Sequence, residues 1–241
     1  SENHYHMTTT TAQAANVLSH LEYYLQIVWP ELNVNVVSTT EQWAGAAIAG
    51  PKSRDMLSKL YPDLDVSNDA LPFMGYKEAE FFGVPSRIFR ISFSGELAYE
   101  INVKSDHGMF MWEKMMEVGK EFGNQPYGTE ALSTLRIEMG HVAGPELDGR
   151  TIPSDVSLNG LVSKKKDFIG KNSLGREAFN VESRQKIVGL IPIDRKSSIP
   201  EGSHIVQDQN AKLPNPKLGH VSSSCWSVEN NNPFSLAIMK D

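Results

Sequence analysis

Residues Arg90–Val103 read RISFSGELAYEINV, and the way this stretch folds decides the rest of the chain. It begins as a strand, with alternation placing Ile91 and Phe93 on one face. Ser94-Gly95 breaks the alternation. Gly95 supplies backbone angles that a side chain disfavours, and it leaves room for another group to approach. Tyr99, Ile101 and Val103 then restart the pattern, flanked by Glu96 and Glu100. Glu100 lies between Tyr99 and Ile101, where a half-buried strand face usually carries a small or neutral residue. A carboxylate there either faces solvent at the edge of a hairpin or is bound to something that donates hydrogen bonds.

Working outward from this stretch, strands and helices alternate. On the N-terminal side, Tyr76–Phe82 and Ser86–Phe93 read as strands around the Gly83-Val84-Pro85 turn. Before them, Trp43–Ala49 is a small-residue strand, and Pro51 suits the first turn of a helix reaching Leu60. Asn33–Ser38, with Val34 and Val36 alternating, reads as a further strand. Upstream, Ala14, Val17, Leu18, Leu21, Leu25 and Val28 form one apolar stripe on a helix that Pro30 closes, with Thr8–Thr11 as candidate caps. Tyr5–Met7 is strand-like. On the C-terminal side, Asp106 is placed to cap a helix to Lys120 with Met109, Phe110, Trp112 and Met116 as its core stripe, as expected of methionine in cores. Thr129 caps a second helix that stops at Gly140. Arg136 and Glu138, two apart, do not share a face of that helix. A short helix is predicted over Ser173–Phe179.

The texture changes at Arg184. From there strands are predicted over Lys186–Ile193, His204–Gln207, Gly219–Ser222 and Phe234–Met239, with turns rich in Pro, Gly, Asn and Ser. A domain boundary is therefore expected within Asn180–Gln185, giving domains 1–182 and 183–241, the second being part of a small β-barrel or sandwich. Strands that follow one another directly between Tyr76 and Val103 imply an α+β fold with largely antiparallel sheets and packed helices.

Composition bounds the function. The chain has 241 residues with a formal net charge of −6. That argues against nucleic acid as a partner, because backbone phosphates demand a basic face. No apolar run reaches the roughly 18–20 residues that span a bilayer, so no membrane partner is expected. The single cysteine, Cys225, excludes an internal disulfide and a multi-cysteine zinc site, and fits a reducing cytoplasm. The seven histidines show no HExxH, so no metal is expected. No G-x-S-x-G elbow, phosphate loop or GxGxxG run is present. Lys164–Lys166 reads either as a solvated surface or as an anion contact. What remains is Glu100. If bound, a strand carboxylate suits a planar ligand with two adjacent N–H donors, as on a pterin or guanine edge, with Phe93 stacking on the ring or lining the pocket.

Three blocks then carry a family resemblance. Phe93–Ile101, FSGELAYEI, resembles the glycine-rich strand motif of folate-dependent aminomethyltransferases, which include the glycine-cleavage T-protein. Leu135–Gly140, LRIEMG, is similar to that family's LRLE helix end, and Lys166–Lys171, KDFIGK, to its DFIG segment. Within this family the segments NHYHMTTTTAQAANVLSHLEYYLQIVWPEL, TEQWAGAAIAGPKSRDML and IEMGHVAGPELDGRTIPSDVSLNGLVSKKKDFIGK resemble the C-terminal part of α subunits of heterotetrameric sarcosine oxidases. The likeness covers effectively the whole chain.

The resemblance implies the aminomethyltransferase folate-binding fold followed by a truncated barrel. It implies tetrahydrofolate as cofactor, and a reaction in which an iminium or formaldehyde one-carbon unit from sarcosine is trapped on folate. It places FAD, FMN and NAD, and the β, γ and δ subunits, elsewhere in the assembly. Glu100 matches the glutamate that hydrogen-bonds the pterin. Phe93 stands where the family usually has Tyr, so a stacking ring is kept and its hydroxyl lost. Gly95 and Tyr99 belong to the same motif, and His141 lies near a family Tyr. Leu132 replaces an Arg that contacts the folate tail, leaving Lys164, Lys165 and Lys166 as candidate replacements. No catalytic residue is assigned, because the family's catalytic aspartate precedes the segment matching Ser1. The chain is therefore expected to be a piece of a longer subunit that does not catalyse oxidation by itself. T-protein and dimethylglycine dehydrogenase folate domains are the nearest alternatives. A folate-binding iron–sulfur scaffold is disfavoured because LVSKKKDFIGK lacks that group's cysteine, and a structural interaction module with folate binding lost is the reading outside the enzyme class.

Overall fold

The computed structural model of the chain describes residues 2–240. It divides into two compact units. The first runs to Ile91 and resumes over Ala98–Asn124; the second holds Ser92–Leu97 and runs on from Gln125.

The first unit is a sheet with helices on one face. Its strands are β1 (Trp43–Ala49), β2 (Tyr76–Phe81), β3 (Val84–Phe89) and β4 (Ala98–Lys104), in spatial order β1-β4-β3-β2 and antiparallel throughout. The alternation in β4 works as the pleat demands. Tyr99, Ile101 and Val103 are fully buried, with Ile88, Phe81 and Ile48 on the same inner face. Two helices cover that face: α2 (Ser53–Leu60), which buries Met56, Leu57 and Leu60, and α3 (Gly108–Gly119), which buries Met111 and Met115. Between sheet and helix, the Tyr61 hydroxyl hydrogen-bonds Ser86 Oγ at 2.9 Å, and Ser86 Oγ donates to the Ala79 carbonyl at 2.7 Å. Burial holds the Tyr61 hydroxyl well above its usual pKa, so it acts only as a neutral donor. Tyr61→Phe removes that donor and leaves the Ser86 bond to Ala79 intact. The expected cost is about 1 kcal/mol in denaturant unfolding.

Five local expectations are corrected here. Asn33–Ser38 and Tyr5–Met7 are not strands, because alternation specifies a face but supplies no neighbour to pair with. The stripe on α3 runs through Met111, Met115 and Gly119, while Met109 is 70% exposed and Trp112 45%. Six of the eight residues from Met109 to Met116 are apolar, so more than one stripe fits the helical period. Asp106 lies in a 3-10 turn (Ser105–His107) and makes no cap hydrogen bond. The strand predicted to reach Phe93 ends at Phe89. Residues 90–97, the first half of the stretch that opens the reading, are irregular.

Upstream of β1, α1 (Ala14–Tyr23) continues into a π-helical turn (Tyr24–Val28) closed by the Trp29 amide on the Tyr24 carbonyl at 2.7 Å. None of the residues in either element is buried.

The second unit is built on another antiparallel sheet: β5 (Lys186–Leu190), β6 (His204–Val206), β7 (Lys217–Ser227) and β8 (Asn232–Met239), in order β5-β8-β7-β6. The strands begin at the predicted change of texture. β7 is longer than expected because its small polar residues Ser222, Ser223 and Ser227 are buried. Helix α4 (Thr129–Glu138) packs on β7 and β8; its cap position is Gly128, with Thr129 the first helical residue. α5 (Lys171–Leu174) is shorter than predicted and is followed by a 3-10 turn, Glu177–Phe179.

One buried network fixes α4 to this sheet. Arg136 donates to Glu146 at 2.9 Å and to Ser223 Oγ at 2.7 Å, Ser223 donates to the other Glu146 oxygen at 2.5 Å, and the Ala143 amide donates to Glu146 at 2.9 Å. A second pair, Arg184 with Asp155, ties the start of the sheet region to the loop before it.

Candidate functional site

Glu100 sits in the middle of the first unit's sheet. It is flanked in register by Ala47 on β1 and Phe89 on β3. Residues directly opposite in antiparallel strands share a face, so Glu100 lies on the face turned away from the helices. It is half-buried. Among the described residues no group donates to its carboxylate, and burial alone raises its pKa above the usual carboxyl value. A half-buried carboxylate with no protein donor is the feature that a ligand with N–H groups would satisfy.

The surroundings of Glu100 are aromatic on one side and small on the other. Phe89 contacts Tyr76 at 5.1 Å between ring centroids and stacks with His6 at 6.0 Å. Beyond them, Arg87 lies 4.0 Å over the Trp43 ring and pairs with Glu78 at 3.6 Å. Burial, then the charges of Arg87 and His4, lower the His6 pKa. The sequence reading missed Phe89, Tyr76 and His6. The sequence carried no signal for them, because the pairing that places Phe89 directly opposite Glu100 exists only in the fold.

Tyr99, the neighbour of Glu100, points the other way. Its ring is wholly within the core, and its buried hydroxyl has no hydrogen-bond partner among the described residues.

The second unit holds the other sequence candidates. Phe93 and His141 are brought together, with ring centroids 4.7 Å apart and planes tilted by 56°. The C-terminus of α4 sets the position of His141. Gly140 is left-handed (φ 70°), its amide bonds the Ile137 carbonyl, and the His141 amide bonds the Arg136 carbonyl at 2.8 Å. This is a Schellman closure, for which the Met-Gly pair after the helix was the sequence signal.

Gly95 has φ 84°, and a Cβ there would lie 2.2 Å from Met139 Cγ. Its identity is therefore dictated by backbone and packing together. Gly95→Ala is expected to cost about 1–2 kcal/mol in stability from the left-handed backbone alone, with further loss unless Met139 moves; thermal unfolding checks it. The hydroxyls of Ser92 and Ser94 and one oxygen of Glu138 are buried without a partner among the described residues.

Lys164, Lys165 and Lys166 are exposed. The amides of Lys165 and Lys166 bond Ser163 Oγ at 3.3 and 3.0 Å, which curls the run into a tight turn. Leu132 lies in α4. Cys225 is a free thiol whose pKa is pushed up to about 11 by burial, with the Glu138 charge adding to it. Among the described residues no cluster of His, Cys, Asp or Glu is arranged to hold a metal, and no helix is long and apolar enough to cross a membrane.

Comparisons with known proteins agree on the family. The chain is 44% identical over 243 residues to the sarcosine oxidase subunit alpha of Rhizobium meliloti (strain 1021), covering 100% of this chain and 24% of that one. It therefore spans about a quarter of the length of that relative. It is 30% identical over 213 residues to an aminomethyltransferase of Chloroherpeton thalassium (strain ATCC 35110 / GB-78), covering 88% of this chain and 56% of that one. Among solved structures, the glycine cleavage system aminomethyltransferase T from Bartonella henselae superposes with a TM-score of 0.75 at 20% identity, over 96% of this chain and 59% of that one. The antiparallel sheets with their packed helices are therefore an aminomethyltransferase-like fold. The GCVT N-terminal domain family matches residues 1–166, and the chain belongs to that family.

Proposed function

We propose that this chain is the folate-binding part of a sarcosine oxidase α subunit. In this reading it holds tetrahydrofolate while the one-carbon unit from oxidative demethylation of sarcosine is trapped as 5,10-methylenetetrahydrofolate, with glycine and hydrogen peroxide as the other products. The observation that carries the reading is Glu100, a half-buried strand carboxylate without a donor among the described residues, in a chain 44% identical from end to end to a sarcosine oxidase α subunit. The lower identity to aminomethyltransferases makes T-protein activity the second reading.

Glu100 accepts the amino and ring N–H groups of the pterin, and its two oxygens match that pair of donors. Bound folate would supply a nucleophilic amine for the one-carbon unit; the protein's part is to hold and orient it, a positioning effect. Phe93, Gly95, His141, Lys165 and Lys166 are further candidates for folate recognition; Tyr99, whose side chain is turned into the core, leaves that set. For Phe93 and His141 the support is their tilted ring contact, and for the lysines their exposed positive charge. No residue of this chain is assigned the acid–base step at the folate amine. FAD, FMN and NAD, together with β, γ and δ subunits, belong to the remainder of the proposed assembly. A cytoplasmic location and a barrel completed around β5–β8 are part of the same proposal.

Titration of the protein, expressed from its complete gene, with tetrahydrofolate tests the reading. Saturable binding is expected, and its absence would contradict it.

A further inference from the structure

Glu100 does not stand alone on its face of β4. Two residues on, Asn102 points the same way, with its Cα roughly 6.6 Å along the strand. It is half-buried, and it lies opposite Gly45 on β1 and Arg87 on β3. Its side-chain amide lies over Gly45 so closely that a Cβ at position 45 would stand 2.9 Å from Asn102 Oδ1. Gly45 and Ala47 thus place little side-chain bulk on one side of the Glu100–Asn102 row, with Phe89 and Arg87 on its other side. The Asn102 amide makes no hydrogen bond to another described residue.

The chemistry of the proposed ligand gives this amide a partner. Along one edge of a 2-amino-4-oxopyrimidine ring come an amino N–H, a ring N–H and then a carbonyl oxygen. Glu100, an acceptor only, takes the first two. The carbonyl, next in line, needs a donor. Ala47 and Phe89, the strand neighbours of Glu100, have none. Arg87, on β3, places its Nε 3.6 Å from Glu78 and its guanidinium over the Trp43 ring, so it faces those two groups. Lys104, the next residue along this face, is a further two positions away and exposed. The Asn102 Nδ2 group is the donor next to Glu100 on the same strand and face.

We propose that Asn102 donates to the 4-oxo oxygen of the pterin held by Glu100, and so adds to the preference for 2-amino-4-oxo over 2,4-diamino rings that Glu100 imposes by accepting the ring N–H. This rests on the reading of Glu100 as the pterin anchor. A site built to hydrogen-bond one substituent rejects the analogue that presents the opposite polarity.

The test is a ratio. Dissociation constants for tetrahydrofolate and for its 4-amino analogue are measured on the protein expressed from its complete gene, as wild type, Asn102→Asp, Asn102→Ser and Glu100→Ala. Any effect common to both ligands cancels in the ratio. Asn102→Asp replaces a donor by acceptors at constant shape. It is expected to shift the ratio by about tenfold or more towards the 4-amino analogue. Asn102→Ser keeps a donor in a smaller side chain and is expected to hold the wild-type ratio within about threefold. An unchanged ratio in Asn102→Asp overturns the assignment, as does a ratio lost to the same extent in both position-102 variants. If Glu100→Ala weakens tetrahydrofolate while Asn102→Asp leaves the ratio unmoved, only this inference falls. If Glu100→Ala changes nothing, the anchor reading and this inference fall together.

Discussion

Glu100→Ala is expected to weaken tetrahydrofolate binding at least tenfold, measured by isothermal titration on the protein expressed from its complete gene. A hydrogen bond to a charged group contributes about 1.5–3 kcal/mol, and the pterin edge offers two. Glu100 is half-buried, so water recovers part of that loss, and tenfold, about 1.4 kcal/mol, is the lower bound. The pH dependence follows from the same group. Burial raises the Glu100 pKa above its ordinary value, and only the ionised form accepts both N–H donors. Affinity should therefore be full well above that raised pKa and fall as pH drops through it. The Ala variant should lose this dependence along with the affinity. Glu100→Gln should also bind weakly, because an amide turns one of the two acceptors into a donor facing a donor.

The second large effect concerns stability. Removing either Arg136 or Glu146 is expected to cost about 3–5 kcal/mol in denaturant unfolding, because each leaves the other charge buried without its partner. The two side chains are 6% and 0% exposed and 2.9 Å apart. Ser223 bridges both, so α4, the loop carrying Glu146 and β7 share one network. The Arg136→Met, Glu146→Leu double variant should cost far less than the sum of the single changes, since it removes both buried charges together.

Burial pulls the Glu146 pKa up, but hydrogen bonds from Ser223, the Ala143 amide and Ser222, with the Arg136 charge, outweigh it and hold the carboxyl below its ordinary value. A carboxyl lowered in the folded state contributes stability that is present above its unfolded pKa, about 4.3 for Glu, and is lost as pH falls through the lower folded value. Wild-type stability should fall across that window, and the double variant should show less of the fall.

The sequence made some of this architecture legible and hid the rest for identifiable reasons. The inward alternation of Tyr99, Ile101 and Val103 was readable because period two is imposed by the pleat itself. So was the end of α4 at Gly140, which needs a left-handed residue. The onset of the second sheet after Arg184 was readable from turn chemistry. The α3 stripe was not, because its many apolar residues fit more than one face and only the packed sheet chooses between them. Nor was the end of β3 at Phe89: Ile91 and Phe93 continue the alternation, but a strand lasts only as long as its partner's hydrogen bonds.

For the candidate site, Glu100 was conspicuous as a charge inside an apolar alternation. Phe89, Asn102 and Gly45 were not, since their relation to Glu100 exists only through cross-strand register. The Arg136–Glu146–Ser223 network joins residues up to 87 positions apart; the sequence showed only that Arg136 and Glu138 do not pair.

The most direct test of the central claim is a crystal structure of the protein, expressed from its complete gene, with tetrahydrofolate bound. The expected result places the pterin amino and ring N–H groups on the two oxygens of Glu100, over the face formed by Ala47, Glu100 and Phe89. A pterin bound elsewhere, with the Glu100 carboxylate left to solvent, would contradict the account.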